Sequence, residues 1–197
     1  MDIIYPEISI DAGKMTFIVG ESGTGKTSLL KMFNQTLSQT SGEIFFRDAN
    51  VEEFDVLELR KKVLLCGQSV FLFDGTVREN FERFRSYRGL SPLPDDDIEK
   101  FLRISCIDID LEKSCKNMSG GERARVFIAI YLSFSPEVLL LDEPTSALDK
   151  DTATALMVNL KDLVRDDRMT IIAVSHDRSI VEMFADDVID LGGKGNG

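Results

Sequence analysis

Gly20-Glu21-Ser22-Gly23-Thr24-Gly25-Lys26-Thr27 fits the pattern of a phosphate-binding loop: Gly, four residues, Gly-Lys, then Ser or Thr. The flanks fit as well. The apolar run from Met15 to Val19 predicts a buried strand before the loop, and the residues after it predict a helix starting near Lys26. Each residue type has a physical reason. Glycines let backbone amides curl around phosphate oxygens. The helix start adds the positive end of its dipole. Lys26 reaches toward β- and γ-phosphates, and Thr27 offers a hydroxyl to Mg²⁺. Gly20 through Thr27, with Ser28 behind them, are therefore candidate nucleotide contacts. A chance glycine-rich turn has no reason to fall between a strand and a helix.

Working outward, Val138-Leu-Leu-Leu-Asp142-Glu143-Pro144 predicts an apolar strand ending in two carboxylates. Ligands bind at the carboxyl ends of strands in open α/β sheets, so this end belongs beside the loop. Asp142 is the candidate Mg²⁺ ligand and Glu143 the candidate general base. Further strands are expected at 42–46, 63–66, 170–174 and 188–191. Dispersed strands with helices between them predict a parallel sheet covered on both faces. Residues 76–135 read as helices and loops. SPLPDDD interrupts them, and Asp95 to Asp97 suit a helix N-terminus by capping and dipole. The fold class is α/β: a P-loop NTPase with a parallel-sheet core at about 1–75 and 136–191, an inserted helical sub-lobe at about 76–135, and a flexible tail at 192–197.

Composition sets outer bounds. Of 197 residues, 43% are apolar, enough for a core in one domain. The net charge of -11 and a pI near 4.6 repel phosphate backbones, so no nucleic-acid partner is expected. Cys66, Cys106 and Cys115 form no Cys-x-x-Cys pair and read as free thiols in a reducing compartment. The N-terminus shows no signal-peptide pattern, and the apolar runs are too short to cross a bilayer.

Further motifs appear in a fixed order. Ser119-Gly120-Gly121-Glu122, within NMSGGERARVFIAI, resembles the signature of the ABC (ATP-binding cassette) family, with Met118 and Glu122 replacing the commoner Leu and Gln. Ser146-Ala-Leu-Asp149 resembles its D-loop, Gln68 stands where its Q-loop glutamine belongs, and His176 in VSHD resembles its switch histidine. Taken alone, a lone histidine or a glutamine reads as an ordinary structural residue. The resemblance implies that the chain binds ATP and Mg²⁺. It implies that Gln68 contacts the metal and senses the γ-phosphate, and that His176 contacts the γ-phosphate and positions the water and Glu143. Lys26, Glu143 and His176 are the expected catalytic set. Ser119-Gly120-Gly121 opens a helix, so it too offers free amides to an anion. The chain then has two anion-binding helix starts and one phosphate loop. The resemblance implies head-to-tail packing of two subunits, each signature closing over the other's ATP, with Asp149 and Glu122 beside the nucleotide. Arg123 and Arg125 read equally well as an exposed helix face.

In transporters of this family the segment after the Q-loop forms a groove for a helix of the membrane subunit. Here that is SVFLFDGTVRENF, residues 69–81, and FDGTVREN resembles exporter-type cassettes. Phe71 to Phe73 fit either a groove or a core. The resemblance therefore implies a second ATPase subunit and a transmembrane permease subunit as partners, with the chain cytoplasmic and peripheral on the inner face of the membrane. A soluble ABC ATPase for cofactor assembly is the alternative. No coiled-coil insertion marks a repair type, and a single cassette argues against a translation type. Tyr5 is the only tyrosine near the loop and lies too close to match the family's adenine-stacking aromatic.

Overall fold

The computed structural model describes residues 3–167 and 169–192. Apart from Gly192, the expected flexible tail lies outside the described residues. Two compact units emerge. As far as they are described, the first takes Met1–Gly67, Pro136–Glu143 and Lys161–Gly197, and the second takes Gln68–Ser135 and Pro144–Leu160.

The first unit is built on a five-stranded parallel sheet. Its strands are β1 (Met15–Val19), β4 (Val63–Cys66), β5 (Val138–Asp142), β6 (Thr170–Val174) and β7 (Asp187–Asp190), in spatial order β4-β5-β6-β1-β7. β6 is buried throughout and β5 nearly so, as expected of central strands covered on both faces. β7 is an edge strand and carries Asp187 and Asp190, charges that discourage pairing with another chain. Helix α1 (Lys26–Phe33) follows the phosphate loop and buries Leu29, Leu30 and Met32 against Ile18, Leu140, Ile172 and Val174.

The sheet order positions the site. β5, β6 and β1 lie side by side, with Asp142 paired to Val174 and Ile18 paired to the same Val174. The three chain segments leaving their carboxyl ends therefore start on one edge. They are the phosphate loop after β1, Glu143 after β5, and Ser175-His176 after β6.

One expected strand is corrected. Residues 42–46 do not join the parallel sheet. Only β2 (Phe45–Phe46) is extended, and it pairs antiparallel with β3 (Ala49–Asn50) in a separate hairpin. Phe45 stays 58% exposed, so the apolar run has no second face to bury. Helix α2 (Val56–Lys62) follows and leads into β4; Asp55 caps it by accepting from Leu57 N and Glu58 N.

The second unit packs α5 (Gly120–Leu132) against α3 (Val77–Tyr87) and α4 (Asp95–Ile104). Thr76 and Glu79 form a capping box that fixes the start of α3. Asn80, fully buried, accepts from Phe73 N at 2.8 Å and donates to Phe73 O at 3.2 Å, which locks the preceding turn. Asp95 to Asp97 do occupy the first turn of α4, where the dipole favours them. The cap itself is Pro94, with no side-chain bond, so the expected acidic capping is corrected to a dipole contribution alone. Helix α6 (Lys150–Asp167) begins in this unit and ends in the first, where α7 (Arg178–Phe184) completes the helices.

Candidate active site

The phosphate loop is held open by its own backbone. Gly23 and Gly25 have φ of 83° and 91°, the left-handed region that a side chain enters only with strain. Thr24 closes the turn by donating its hydroxyl to Glu21 O at 3.0 Å. Gly25 caps α1, and its carbonyl accepts from Leu29 N at 2.8 Å. Lys26 is only 6% exposed. Its ammonium lies across the loop, donating to Gly20 O at 2.9 Å and Glu21 O at 2.8 Å. A cation is thus parked where two carbonyls can be exchanged for phosphate oxygens.

A residue the sequence did not explain completes the loop. Tyr5 Oη donates to Gly25 O at 2.9 Å, and a Cβ added at Gly25 would collide with that hydroxyl. Tyr5 therefore braces the loop. Tyr5→Phe is expected to cost about 1 kcal/mol of stability, since the Gly25 carbonyl keeps its bond to Leu29 N. Urea unfolding midpoints read this, and an unchanged midpoint removes the brace.

Asp142 and Glu143 do different things although they are neighbours. Asp142 is 5% exposed and its Oδ1 accepts from Thr27 Oγ1 at 3.2 Å. Burial pushes its carboxyl above the usual range. The Thr27 hydroxyl opposes that shift, Glu143 adds to it by repulsion, and Lys31 and Lys26 pull the other way. Lys31 was not apparent as a site residue, although its place one turn after Thr27 was a readable signal. A buried carboxylate beside a hydroxyl is an all-oxygen donor pair, which suits a hard cation completed by phosphate oxygens and water. Among the described residues no cluster of three or more His, Cys, Asp or Glu could hold a metal by itself. Mg²⁺ at Thr27 and Asp142 fits that chemistry.

Glu143 has a φ of 54°, unusual for a residue with a Cβ. Its N–H still donates to Val174 O at 3.1 Å, so the turn leaves β5 without losing the sheet's hydrogen bonding. His176 Nε2 lies 3.1 Å from Glu143 Oε1, with the imidazole half-exposed. Just behind, Ser175 Oγ accepts from Asp177 N, and Asp177 caps α7. Gly20, Glu21, Ser175, His176, Arg178 and Glu182 line one open cleft.

The sequence of residues 6–146 matches the family model described as ABC transporter. The chain belongs to the ABC transporter family. Among curated relatives, it is 34% identical to the probable iron export ATP-binding protein FetA of Escherichia coli over 93% of this chain and 81% of that protein. It is 36% identical to the energy-coupling factor transporter ATP-binding protein EcfA2 of Ligilactobacillus salivarius over 93% of this chain and 66% of that one. Among solved structures, a dimeric ATP-binding cassette, MJ0796, in a post-hydrolysis state bound to ADP and Pi, superimposes with a TM-score of 0.82 at 27% identity, covering 93% of this chain and 83% of that one. CbiO1 of Clostridium perfringens, part of the ABC transporter complex cbiONQ, gives 0.81 at 28% identity, covering 95% and 77%.

This ABC protein is an ATP-binding, ATP-hydrolysing cassette of the transporter type, and its expected site residues divide between the two units. Lys26, Thr27, Asp142, Glu143 and His176 gather at one sheet edge in the first. Gln68, exposed two residues beyond β4, lies in the second, as do Ser119 to Glu122 and Asp149. Asp149 is tied up locally, accepting from Thr152 N at 2.9 Å and Thr152 Oγ1 at 2.7 Å at the start of α6. Among the described residues no helix is long and apolar enough to cross a membrane.

Proposed function

We propose that two copies of this chain close head to tail around two ATP molecules, and that the closing dimer drives a separate transmembrane permease from the cytoplasmic face of the membrane. One observation carries the catalytic part: the 3.1 Å contact of His176 Nε2 with Glu143 Oε1 beside the phosphate loop. Lys26 exchanges the carbonyls of Gly20 and Glu21 for phosphate oxygens. Glu143 takes a proton from water, whose oxygen attacks the γ-phosphorus while the bond to the bridging oxygen breaks, giving ADP and phosphate. His176 holds the carboxylate in line and excludes other rotamers. Thr27 and Asp142 would hold Mg²⁺; bound there, the ion would supply charge neutralisation at the phosphates.

Gly120 supports the composite site. A Cβ added there meets nothing within 4 Å, and its φ is outside the left-handed region. Among the described residues, neither packing nor backbone requires a glycine there. The open space leaves room for a group from outside, in this reading the γ-phosphate side of the partner copy's ATP, approaching the Gly120 and Gly121 amides. Gly121 differs, since its Cβ would press on Ala147 O in the same unit. Gly120→Ala is therefore expected to raise stability by about 0.5–1 kcal/mol and yet lower ATP-driven dimerisation and turnover by about 10-fold or more. Thermal unfolding and light scattering with Mg-ATP read the two effects. Dimerisation at the unaltered ATP concentration overturns the composite site.

A permease needs a surface, and the second unit offers one. Leu72 is core, but Phe71 is 56% and Tyr87 76% exposed, with Phe73 in ring contact with both. Arg83 lies over the Phe73 ring. Of the residues that fit either a groove or a core, Leu72 is buried and Phe71 is exposed. In this reading a helix of the membrane subunit docks on this exposed aromatic surface, and the resemblance of the FDGTVREN segment favours an exporter-type partner.

A further inference from the structure

The signature of this chain carries an acid, Glu122, at the third position of the helix that is to receive a phosphate. An uncompensated carboxylate there would repel the ligand. Both of its oxygens are engaged. Oε2 accepts from Ser119 N at 2.8 Å, while Ser119 Oγ accepts from Glu122 N at 3.2 Å, a complete capping box. Oε1 accepts from Lys113 Nζ at 2.9 Å, with 39% and 28% of the two side chains exposed. The Lys113 bond, followed by the Ser119 bonds, holds the Glu122 carboxyl down at about 2, so it is an anion at neutral pH.

We propose that Lys113 is a positioning residue of the signature: it cancels the charge of Glu122 and fixes that carboxylate in the cap, leaving the Ser119 hydroxyl and the Gly120 and Gly121 amides to an incoming phosphate. This rests on the composite-site reading above. The placement of Lys113 is built, not incidental. Its carbonyl accepts from Val77 N at 3.1 Å, Leu111 O accepts from Arg78 N at 3.0 Å, and Cys115 N donates to Gly75 O at 2.8 Å. Residues 111–115 are thereby strapped to the start of α3, whose own box at Thr76 fixes the strap. Arg123 adds a second tie by donating to Cys115 O at 2.7 Å. The ammonium therefore meets Glu122 from a rigid support. The capping box satisfies Ser119 N and Glu122 N internally, so the two glycine amides between them lie outside it.

The test is a double-mutant cycle in the Glu143→Gln background, where hydrolysis is slowed enough to spare the nucleotide during the measurement. Light scattering gives the ATP concentration for half-maximal dimerisation, and titration calorimetry gives ATP affinity at concentrations where the chain is monomeric. Lys113→Met is expected to raise the ATP requirement for dimerisation about 10-fold or more without changing monomer affinity, and Lys113→Arg is expected to restore it. Once Glu122→Gln has removed the charge, adding Lys113→Met is expected to change the requirement by less than about twofold. An equal loss with and without Glu122→Gln would show a merely structural lysine and overturn the proposal. So would no loss from Lys113→Met while Ser119→Arg still blocks dimerisation. If Ser119→Arg leaves dimerisation intact, the composite site itself fails and takes this inference with it.

Discussion

Glu143→Gln is expected to slow ATP hydrolysis by about 10²–10⁴-fold while leaving ATP binding intact. The substitution is nearly isosteric, and that matters at this position. Glu143 sits at a φ of 54° with its N–H on Val174 O, so a larger change of shape would disturb the end of β5 and the neighbouring Asp142. An amide keeps the backbone, keeps an oxygen for His176 Nε2, and loses only the ability to take a proton. The phosphate loop, Thr27 and Asp142 are untouched, so nucleotide affinity should stay within about twofold of the parent. The dimer then closes and cannot open by hydrolysis. Light scattering should show a monomer without nucleotide and a dimer with Mg-ATP. Hydrolysis at the parent rate removes Glu143 from the role of base. A slow variant that stays monomeric with Mg-ATP leaves the base assignment standing and overturns closure by two copies of this chain.

The legible parts of the fold are those with a local physical cause. β1, β4 and β6 fall on the residues marked by their apolar runs, because a parallel strand covered on both faces must be apolar on both. The hairpin at β2 departs from the expected parallel strand for a related reason: Phe45 and Phe46 imitate a buried run, yet nothing in the letters says that only one face is covered. Strand order was not legible either. The residues identify strands, while neighbours are chosen by crossover packing far along the chain. That order is what sets Glu143 and His176 in contact across a separation of more than thirty residues. Tyr5 and Lys113 escaped for a related reason. No spacing rule links Tyr5 to Gly25, or Lys113 to Glu122 across a loop, whereas the capping partners Ser119 and Glu122 follow a three-residue rule.

Lys26→Ala is the second large effect, and it differs in kind because it acts on binding. Lys26 donates two charge-assisted hydrogen bonds to loop carbonyls, and these are the donors the triphosphate takes over. Losing both is expected to weaken ATP by about 3–5 kcal/mol, a factor of roughly 150 to 4,000. The loss is compounded at Asp142. Lys26 is one of the positive charges that hold its carboxyl down against burial, so removing it raises that carboxyl further and weakens the pair meant for Mg²⁺. The fold should survive, because the carbonyls of Gly20 and Glu21 border the open cleft and can turn to water. Titration calorimetry with Mg-ATP beside a thermal melt separates the two quantities. A retained melt with no measurable binding is the expected pair of results. Unchanged affinity would sink the phosphate loop as the nucleotide site, and with it the roles given to Thr27, Asp142 and Glu143, since Thr27 belongs to that loop, Asp142 accepts from Thr27, and Glu143 follows Asp142. Because Lys26 acts before closure and Glu143 after it, the two variants should also part in the light-scattering experiment: Lys26→Ala stays monomeric at any practical ATP concentration, and Glu143→Gln accumulates as the dimer.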